Sequence, residues 1–186
     1  MMITKTLYVP DRKTWRKWLK GNCRKESEVW LVYFRKDTGK PRVPYNDAVE
    51  EALCFGWIDS TVKKIDRDRF AQRFSRRNPQ SEYSQTNKER LKRLIAKGLV
   101  QKDVLANMGD TAADIYAFPA DIMKVLRANG RAYENFKKYS APYQRIRIAY
   151  IDSVRQRPEE FKKRLANFLK LTEQGKQFGF GIESYF

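Results

Sequence analysis

The chain has 186 residues, of which 41% are hydrophobic and 13% aromatic, so it can bury the core of an ordinary domain and global disorder is excluded. Its 39 Lys and Arg outnumber its 22 Asp and Glu, and the net charge of +17 favours anionic partners unless it serves solubility alone. Because the chain contains no His, every mechanism that requires an imidazole base or ligand is excluded.

The N-terminal part begins with a strand, a helix and a second strand. Residues 4–9 alternate loosely and end at Pro10, as a short strand does, and Asp11 then caps a helix. The run 29–36 is β-branched, aromatic and apolar on both faces, which predicts a strand buried in the middle of a sheet.

A helix, a hairpin and another helix follow. Pro44 opens the helix and Gly56 ends it, and two strand-like segments then flank a turn at 66–68. Thr86 and Glu89 fit a capping box at the start of the next helix.

From about residue 100 the pattern becomes wholly helical. Pro119, Ser140 and Pro158 open three of these helices. The helical spacing predicts that the inward-facing side chains include Ile122, Val125, Leu126, Tyr143, Ile146, Tyr150, Val154, Phe161, Leu165, Phe168 and Leu169.

These patterns predict an α+β fold. A small mixed sheet in the order β-α-β-α-β-β-α is followed by a helical C-terminal part. We expect an α+β domain over residues 1–100, carrying the GWIDS motif and an Arg/Ser/Asn loop, and a helical region over 101–186. The boundary between the two parts is gradual, and the alternative that both parts share a single hydrophobic core stays open.

Cysteine usage and the chain's start indicate a cytoplasmic protein. Cys23 and Cys54 have no close Cys or His partner, so we expect two free thiols in a reducing cytosol, no zinc site and no cofactor. The N-terminus lacks the apolar segment of a signal peptide, and no stretch approaches the roughly 20 apolar residues of a membrane span. We therefore predict no membrane insertion.

Known catalytic motifs are missing. The sequence contains no G-x-S-x-G motif, P-loop or Rossmann glycine fingerprint. Glu50 and Glu51 are adjacent on a helix and should point to different faces. We therefore predict a protein without catalytic residues rather than an enzyme.

The best candidate for a binding site lies between Gly56 and Lys97. The part from Thr61 to Lys97 holds twelve Lys and Arg against four Asp and Glu, and its loop enters a helix N-terminus, where backbone N–H groups favour an anion. Arg forks and hydroxyls complete the set of groups that bind phosphate or carboxylate. The predicted ligand-binding residues are Trp57, Asp59, Ser60, Arg73, Arg76, Arg77, Ser81, Tyr83, Ser84, Asn87 and Lys88.

Structural roles for the same residues stay open. Trp57 is typical of a core residue, Asp59 could pair with a nearby Arg, and Ser84 could serve only as a helix cap. A second basic stretch, from Lys137 to Lys176, mixes Tyr with Lys and Arg as single-stranded nucleic-acid sites do, although its Tyr residues also fit core positions.

The segments AVEEALCFGWIDS and QRFSRRNPQSEYSQTNKERLKRLIAKGL carry a family resemblance. They resemble the bacterial YdeI/OmpD-associated family, also described as bacteriocin-protection proteins. The resemblance covers residues 28–99 and extends more loosely into the helical half. The chain departs from the family pattern at Arg76, where the family has Pro, and at Tyr83, where it has Trp. The resemblance implies a link to antimicrobial-peptide resistance, with the molecular role undefined.

Three functions remain in view, and the partner is either an anionic small molecule or a nucleic acid. The first is non-enzymatic binding of an anionic ligand through the Arg-rich loop. The second is sequence-independent nucleic-acid binding through both basic stretches, which predicts a steep salt dependence. The third is an enzyme with a carboxylate, Ser or Tyr site around Asp59 and Tyr83. The sequence does not indicate the ligand or the oligomeric state.

Overall fold

The structure, a computed structural model, describes residues 2–108, 116–179, 181–182 and 186. The fold is α+β, with a small mixed sheet and helices, which confirms the predicted fold class. The described residues of 1–83 and 90–112 form one compact unit, and those of 84–89 and 113–186 form a second. Within the described ranges, no helix has the length and apolar character needed to cross a membrane.

The first unit is built on a mixed sheet whose strands, among the described residues, follow the order β1-β2-β4-β3. Strand β1 is parallel to β2, whereas β2 and β3 are both antiparallel to β4. Strand β2 is interior and its five central residues are buried, as predicted from its two apolar faces. The strands are β1 (Thr6–Tyr8), β2 (Glu28–Phe34), β3 (Trp57–Lys64) and β4 (Arg69–Arg76).

Helices α1 and α2 begin where the sequence places their caps, whereas α3 does not. Asp11 accepts a hydrogen bond from the Thr14 amide at 2.7 Å, as a cap does. The predicted capping box at Thr86 is wrong, because the helix already begins at Gln85 and the Ser84 hydroxyl accepts from the Asn87 amide at 3.4 Å. The helices are α1 (Arg12–Asn22), a 3-10 turn (Lys36–Thr38), α2 (Tyr45–Cys54), α3 (Gln85–Ala96, whose first turn belongs to the second unit) and α4 (Lys102–Ala106).

Aromatic rings hold the core of the first unit. Trp15 is fully buried, stacks on Trp18 with the ring centroids 5.3 Å apart, and donates its indole N–H to the Ala48 carbonyl at 3.0 Å. Trp18 in turn meets Trp57 edge to face at 5.8 Å. Such contacts add to the free energy of burial and fix the distance of α1 from the sheet.

The second unit is helical within the described residues. Its core includes Ile122, Leu126, Phe136 and Phe168, all at most 3% exposed. Helices that supply this core are α5 (Ala120–Ala128), α6 (Gly130–Lys138), α7 (Ala141–Asp152) and α8 (Pro158–Glu173).

Two of the predicted inward positions in these helices are wrong. Val125 is 41% exposed, because Met123 rather than Val125 completes the buried side of α5. Tyr150 is 40% exposed, and the Arg164 guanidinium lies over its ring with the Cζ atom 3.8 Å from the ring centroid. An aromatic side chain at core spacing is here part of a surface cation–π contact.

Two adjacent carboxylates of α2 are almost fully buried. Glu50 and Glu51 are 2% and 3% exposed. Glu51 accepts from Arg12 and from Arg16 of α1, both at 2.6 Å. Glu50 pairs with Arg12 at 3.1 Å and with Arg93 of α3. Two side chains that were expected to point apart therefore join α2 to two other helices.

Substitution of Glu51 by Gln should lower the free energy of unfolding of the first unit by about 2–4 kcal/mol, because two guanidinium groups lose their shared carboxylate. Tryptophan fluorescence during urea unfolding measures this unit alone, since all four Trp residues belong to it. Glu82→Gln removes an exposed carboxylate of the same unit, and it should cost less than about 0.5 kcal/mol. Equal effects of the two substitutions would contradict the assigned role of Glu51.

Candidate functional site

The ends of α1, α2 and β4 meet at a cleft in the first unit. We call its larger part, of about 470 Å³, the basic compartment; its walls include Lys20, Arg24, Phe55, Gly56, Trp57, Arg76, Arg77 and Asp103. A neighbouring part of about 400 Å³, which we call the apolar compartment, is lined by Gly56, Arg77, Pro79, Tyr83, Asp103, Val104, Asn107 and Met108. Both volumes fall in the range of small-molecule sites.

Gly56 lies in the wall shared by both compartments. It ends α2 with a φ of +70°, a backbone conformation that other residues adopt only at a cost. A Cβ atom at this position would lie 3.4 Å from Val104, and the Gly56 carbonyl accepts from the Arg77 amide at 2.9 Å. The turn therefore brings the end of α2 beside the end of β4 and leaves space between them.

Arg77 stacks on Tyr83 at the junction of the two compartments. Its Cζ atom lies 3.6 Å from the centre of the Tyr83 ring, which is the distance of a guanidinium resting on the ring face. Burial raises the pKa of the Tyr83 hydroxyl, and the charge of Arg77 opposes that rise. Among the described residues, no carboxylate forms a salt bridge with Arg77.

Other cations of the basic compartment are partly engaged. Arg76 donates to the carbonyls of Cys23 and Glu26, at 3.2 and 2.9 Å, and also to that of Arg24, and so holds the loop after α1. Arg24 forms an exposed salt bridge of 2.8 Å with Asp103. Lys20, in the last turn of α1, has no salt-bridge partner within the described part of the chain.

A second polar group of side chains surrounds Asp59, on β3. Its carboxylate accepts from the Tyr45 hydroxyl at 2.9 Å and from the Gln72 amide at 2.6 Å. The register of β3 against β4 shifts between Asp59 and Val62, a bulge of the kind that often redirects a functional side chain. Burial raises the pKa of Asp59 above its ordinary value of 3.8, although both hydrogen bonds and the charge of Arg90 oppose the rise.

The predicted site residues fall into separate places. Trp57 is 1% exposed and donates its indole N–H to the Cys23 carbonyl at 3.1 Å, as a core residue does. Arg73 pairs with Glu28 and lies 3.5 Å from the Ser60 hydroxyl. Ser81 donates to the Asn78 carbonyl at 2.8 Å.

The cleft thus brings together only some of the predicted set. Trp57, Arg76, Arg77 and Tyr83 line it, whereas Asp59 does not. Ser84, just before α3, and Asn87 and Lys88 in its first turn belong to the second unit. The assignment of these three residues to ligand binding stays a prediction.

Comparison with family models divides the chain in two. Residues 7–107, more than half of the chain, match the model of a domain of unknown function, DUF8412. The chain belongs to the DUF8412 family. Residues 116–175 match the model described as Bacteriocin-protection, YdeI or OmpD-Associated, and this match confirms the family predicted from the sequence. No curated protein and no solved structure matches the chain.

The cleft lies in the DUF8412 part of the chain, and so do the segments on which the sequence resemblance rested. The YdeI/OmpD-associated match instead covers the helical part, where the sequence resemblance was looser. The site of this DUF8412 member must therefore be argued from its own residues.

Sequence reasoning missed Lys20, Arg24 and Val104. A basic residue in the last turn of a helix ordinarily interacts with the helix dipole, so Lys20 gave no distinct signal. Val104 lies in the five-residue helix α4, which the sequence did not predict as an element, and its place opposite Gly56 depends on long-range packing.

The raised pKa of Asp59 predicts a pH dependence of stability. A carboxyl whose folded-state pKa is raised contributes stability that is fully present below the unfolded-state pKa and is lost as pH rises through the folded-state value. The free energy of unfolding of the wild type relative to Asp59→Asn should therefore fall as pH rises above 3.8. Tryptophan-monitored urea unfolding over a pH series measures it.

Asp37→Asn, at an exposed position of the same unit, is the control for this comparison. A difference between wild type and Asp59→Asn that stays constant or grows with pH would contradict the burial of a costly charge at Asp59.

Proposed function

We propose that this protein is a non-enzymatic binding protein that holds an anionic ligand in the basic compartment. The observation that carries the proposal is Arg77, whose guanidinium rests on Tyr83, borders the cleft and forms no salt bridge with a described carboxylate. A guanidinium held in one orientation loses little entropy when it binds a phosphate or carboxylate, and its fork can donate two hydrogen bonds.

Charge around the cleft supports the same ligand. Lys20, Arg24 and Arg76 lie in its walls with Arg77, and Asp103 is the one acidic residue among the described lining residues. Asp103 is already paired with Arg24, and this hydrogen-bonded pair lowers the pKa of the Asp103 carboxyl. An anion entering the cleft therefore meets a net positive wall.

The nucleic-acid alternative has less support from the second basic stretch. Arg145 forms a two-point pair with Glu89, at 2.6 and 2.8 Å, and Arg155 forms another with Asp121. Arg164 likewise pairs with Glu160 at 2.8 Å. Cations already neutralised by carboxylates contribute little to phosphate-backbone binding.

The enzymatic alternative rests on Asp59. Its raised pKa and its bond with Tyr45, whose own pKa burial raises to about 12, are typical of acid–base groups. However, Tyr83, the expected second member of that site, stacks on Arg77, and Asp59 lies outside the walls of both compartments. We therefore assign Asp59 a role in the sheet rather than in catalysis.

A role in bacteriocin protection enters only through the family match of residues 116–175. With a net charge of +17 the protein should repel cationic peptides rather than sequester them. Any protective role would then depend on the anionic ligand, and we propose that the protein meets this ligand in the cytoplasm.

Arg77→Ala should weaken the binding of inorganic phosphate at low salt by about tenfold or more, because a charge-assisted hydrogen bond contributes about 1.5–3 kcal/mol. Arg77→Lys should give an intermediate affinity, since it keeps the charge but not the fork. Chemical-shift titration of the backbone amides, with Gly56 as the reporter within the cleft, measures both. Arg76 is left intact because it holds the loop after α1.

Arg67→Ala is the matched control, because Arg67 is exposed in the turn between β3 and β4, at the opposite end of these strands from the cleft. Phosphate binding that is unchanged in Arg77→Ala, or equally reduced in Arg67→Ala, would show that the site is elsewhere. A parallel titration with single-stranded DNA over a salt series tests the nucleic-acid alternative. A polyanion-binding protein would have an affinity for DNA that falls steeply with salt.

A further inference from the structure

The two compartments of the cleft adjoin each other. They share four lining residues, Gly56, Arg77, Asp103 and Val104. A ligand bound at Arg77 therefore borders both spaces at once, and a group attached to its anionic end has a second compartment to enter.

The walls of the two compartments differ in chemistry. Lys20, Arg24 and Arg76 line only the basic compartment. The apolar compartment has Pro79, Tyr83, Val104 and Met108 in its walls, with Arg77 as its one cation among the described lining residues. Tyr83, Val104 and Met108 also pack against the hydrophobic core of the first unit, which holds these walls in place.

We propose that the ligand is an organic phosphate whose phosphate group binds at Arg77 and whose ring-sized apolar body occupies the apolar compartment. This inference rests on the proposed anion-binding function. Several cations around one space match the double negative charge of a phosphate monoester. Transfer of an apolar body from water into the apolar compartment adds binding energy in proportion to the area that it buries.

Asp103 limits where the negative charge of such a ligand can lie. It borders both compartments and is half exposed, with its carboxylate bonded to Arg24 at 2.8 Å. A second anionic group on the far side of the ligand would enter the apolar compartment, where Arg77 is the one cation among the described lining residues. The arrangement therefore selects a ligand that is anionic at one end and apolar at the other, rather than a polyanion.

The test compares inorganic phosphate with 1-naphthyl phosphate in chemical-shift titrations of the full chain. We expect 1-naphthyl phosphate to bind about tenfold or more tightly than inorganic phosphate, from the apolar area that the ring system buries. Met108→Gln keeps the side-chain length but makes this wall polar. It should abolish most of that advantage and leave the affinity for inorganic phosphate within about twofold.

Leu105→Gln is the matched control, because Leu105 lies in α4, three residues before Met108, is 39% exposed and does not line the cleft. It should preserve the preference for 1-naphthyl phosphate. A preference that is equally reduced in Leu105→Gln, or unchanged in Met108→Gln, would overturn the placement of the ring.

The outcomes separate this inference from the function on which it rests. Equal affinities of the wild type for both probes would overturn the organic-phosphate assignment and leave anion binding intact. Binding of neither probe would overturn the proposed function, and the inference with it.

Discussion

The buried charge pairs between α2 and its neighbours are the constraint on which the first unit depends. Glu50 and Glu51 are nearly inaccessible to water, so their ionised carboxylates are tolerable only beside the guanidinium groups of Arg12, Arg16 and Arg93. Burial lowers the pKa of Arg12 and Arg16, but hydrogen bonds to Glu51 and the nearby negative charges together raise it overall. The helices must keep one relative position for all these groups to stay paired.

The cleft follows from that arrangement. Arg16 also donates to the Leu99 carbonyl at 3.0 Å, which ties the segment after α3 to α1. Lys20 lies in the last turn of the same α1 and Arg24 just after it. Gly56 follows the end of α2, and the segment after Leu99 leads into α4 with Val104. The walls that follow α1 and α2 and the wall in α4 thus continue segments that these pairs hold, whereas Arg76 and Arg77 come from the end of β4.

Much of the fold was predictable because apolar spacing reports burial directly. The doubly apolar run of β2, the Asp11 cap and the hairpin turn at 66–68 followed from local chemistry. The prediction failed at Tyr150, which is exposed although aromatic, and nothing in the sequence indicated that Glu50 and Glu51 are buried although charged. In the Arg-rich segment, Arg73 pairs with Glu28 and Arg76 donates to backbone carbonyls, so Arg77 is the arginine that remains for a ligand. The sequence could not indicate this, because such pairings join residues tens of positions apart.

The position of β3 at the edge of the sheet has a consequence for the behaviour of the protein in concentrated solution. An edge strand offers unpaired backbone groups that another chain can extend, the usual first step toward fibrils. Here the edge carries Lys63 and Lys64 in succession, and the irregularity between Asp59 and Val62 interrupts its straight course. A second molecule that added a strand there would bring like charges together along a bent template. The bulge that sets Asp59 in place therefore also protects the sheet against aggregation.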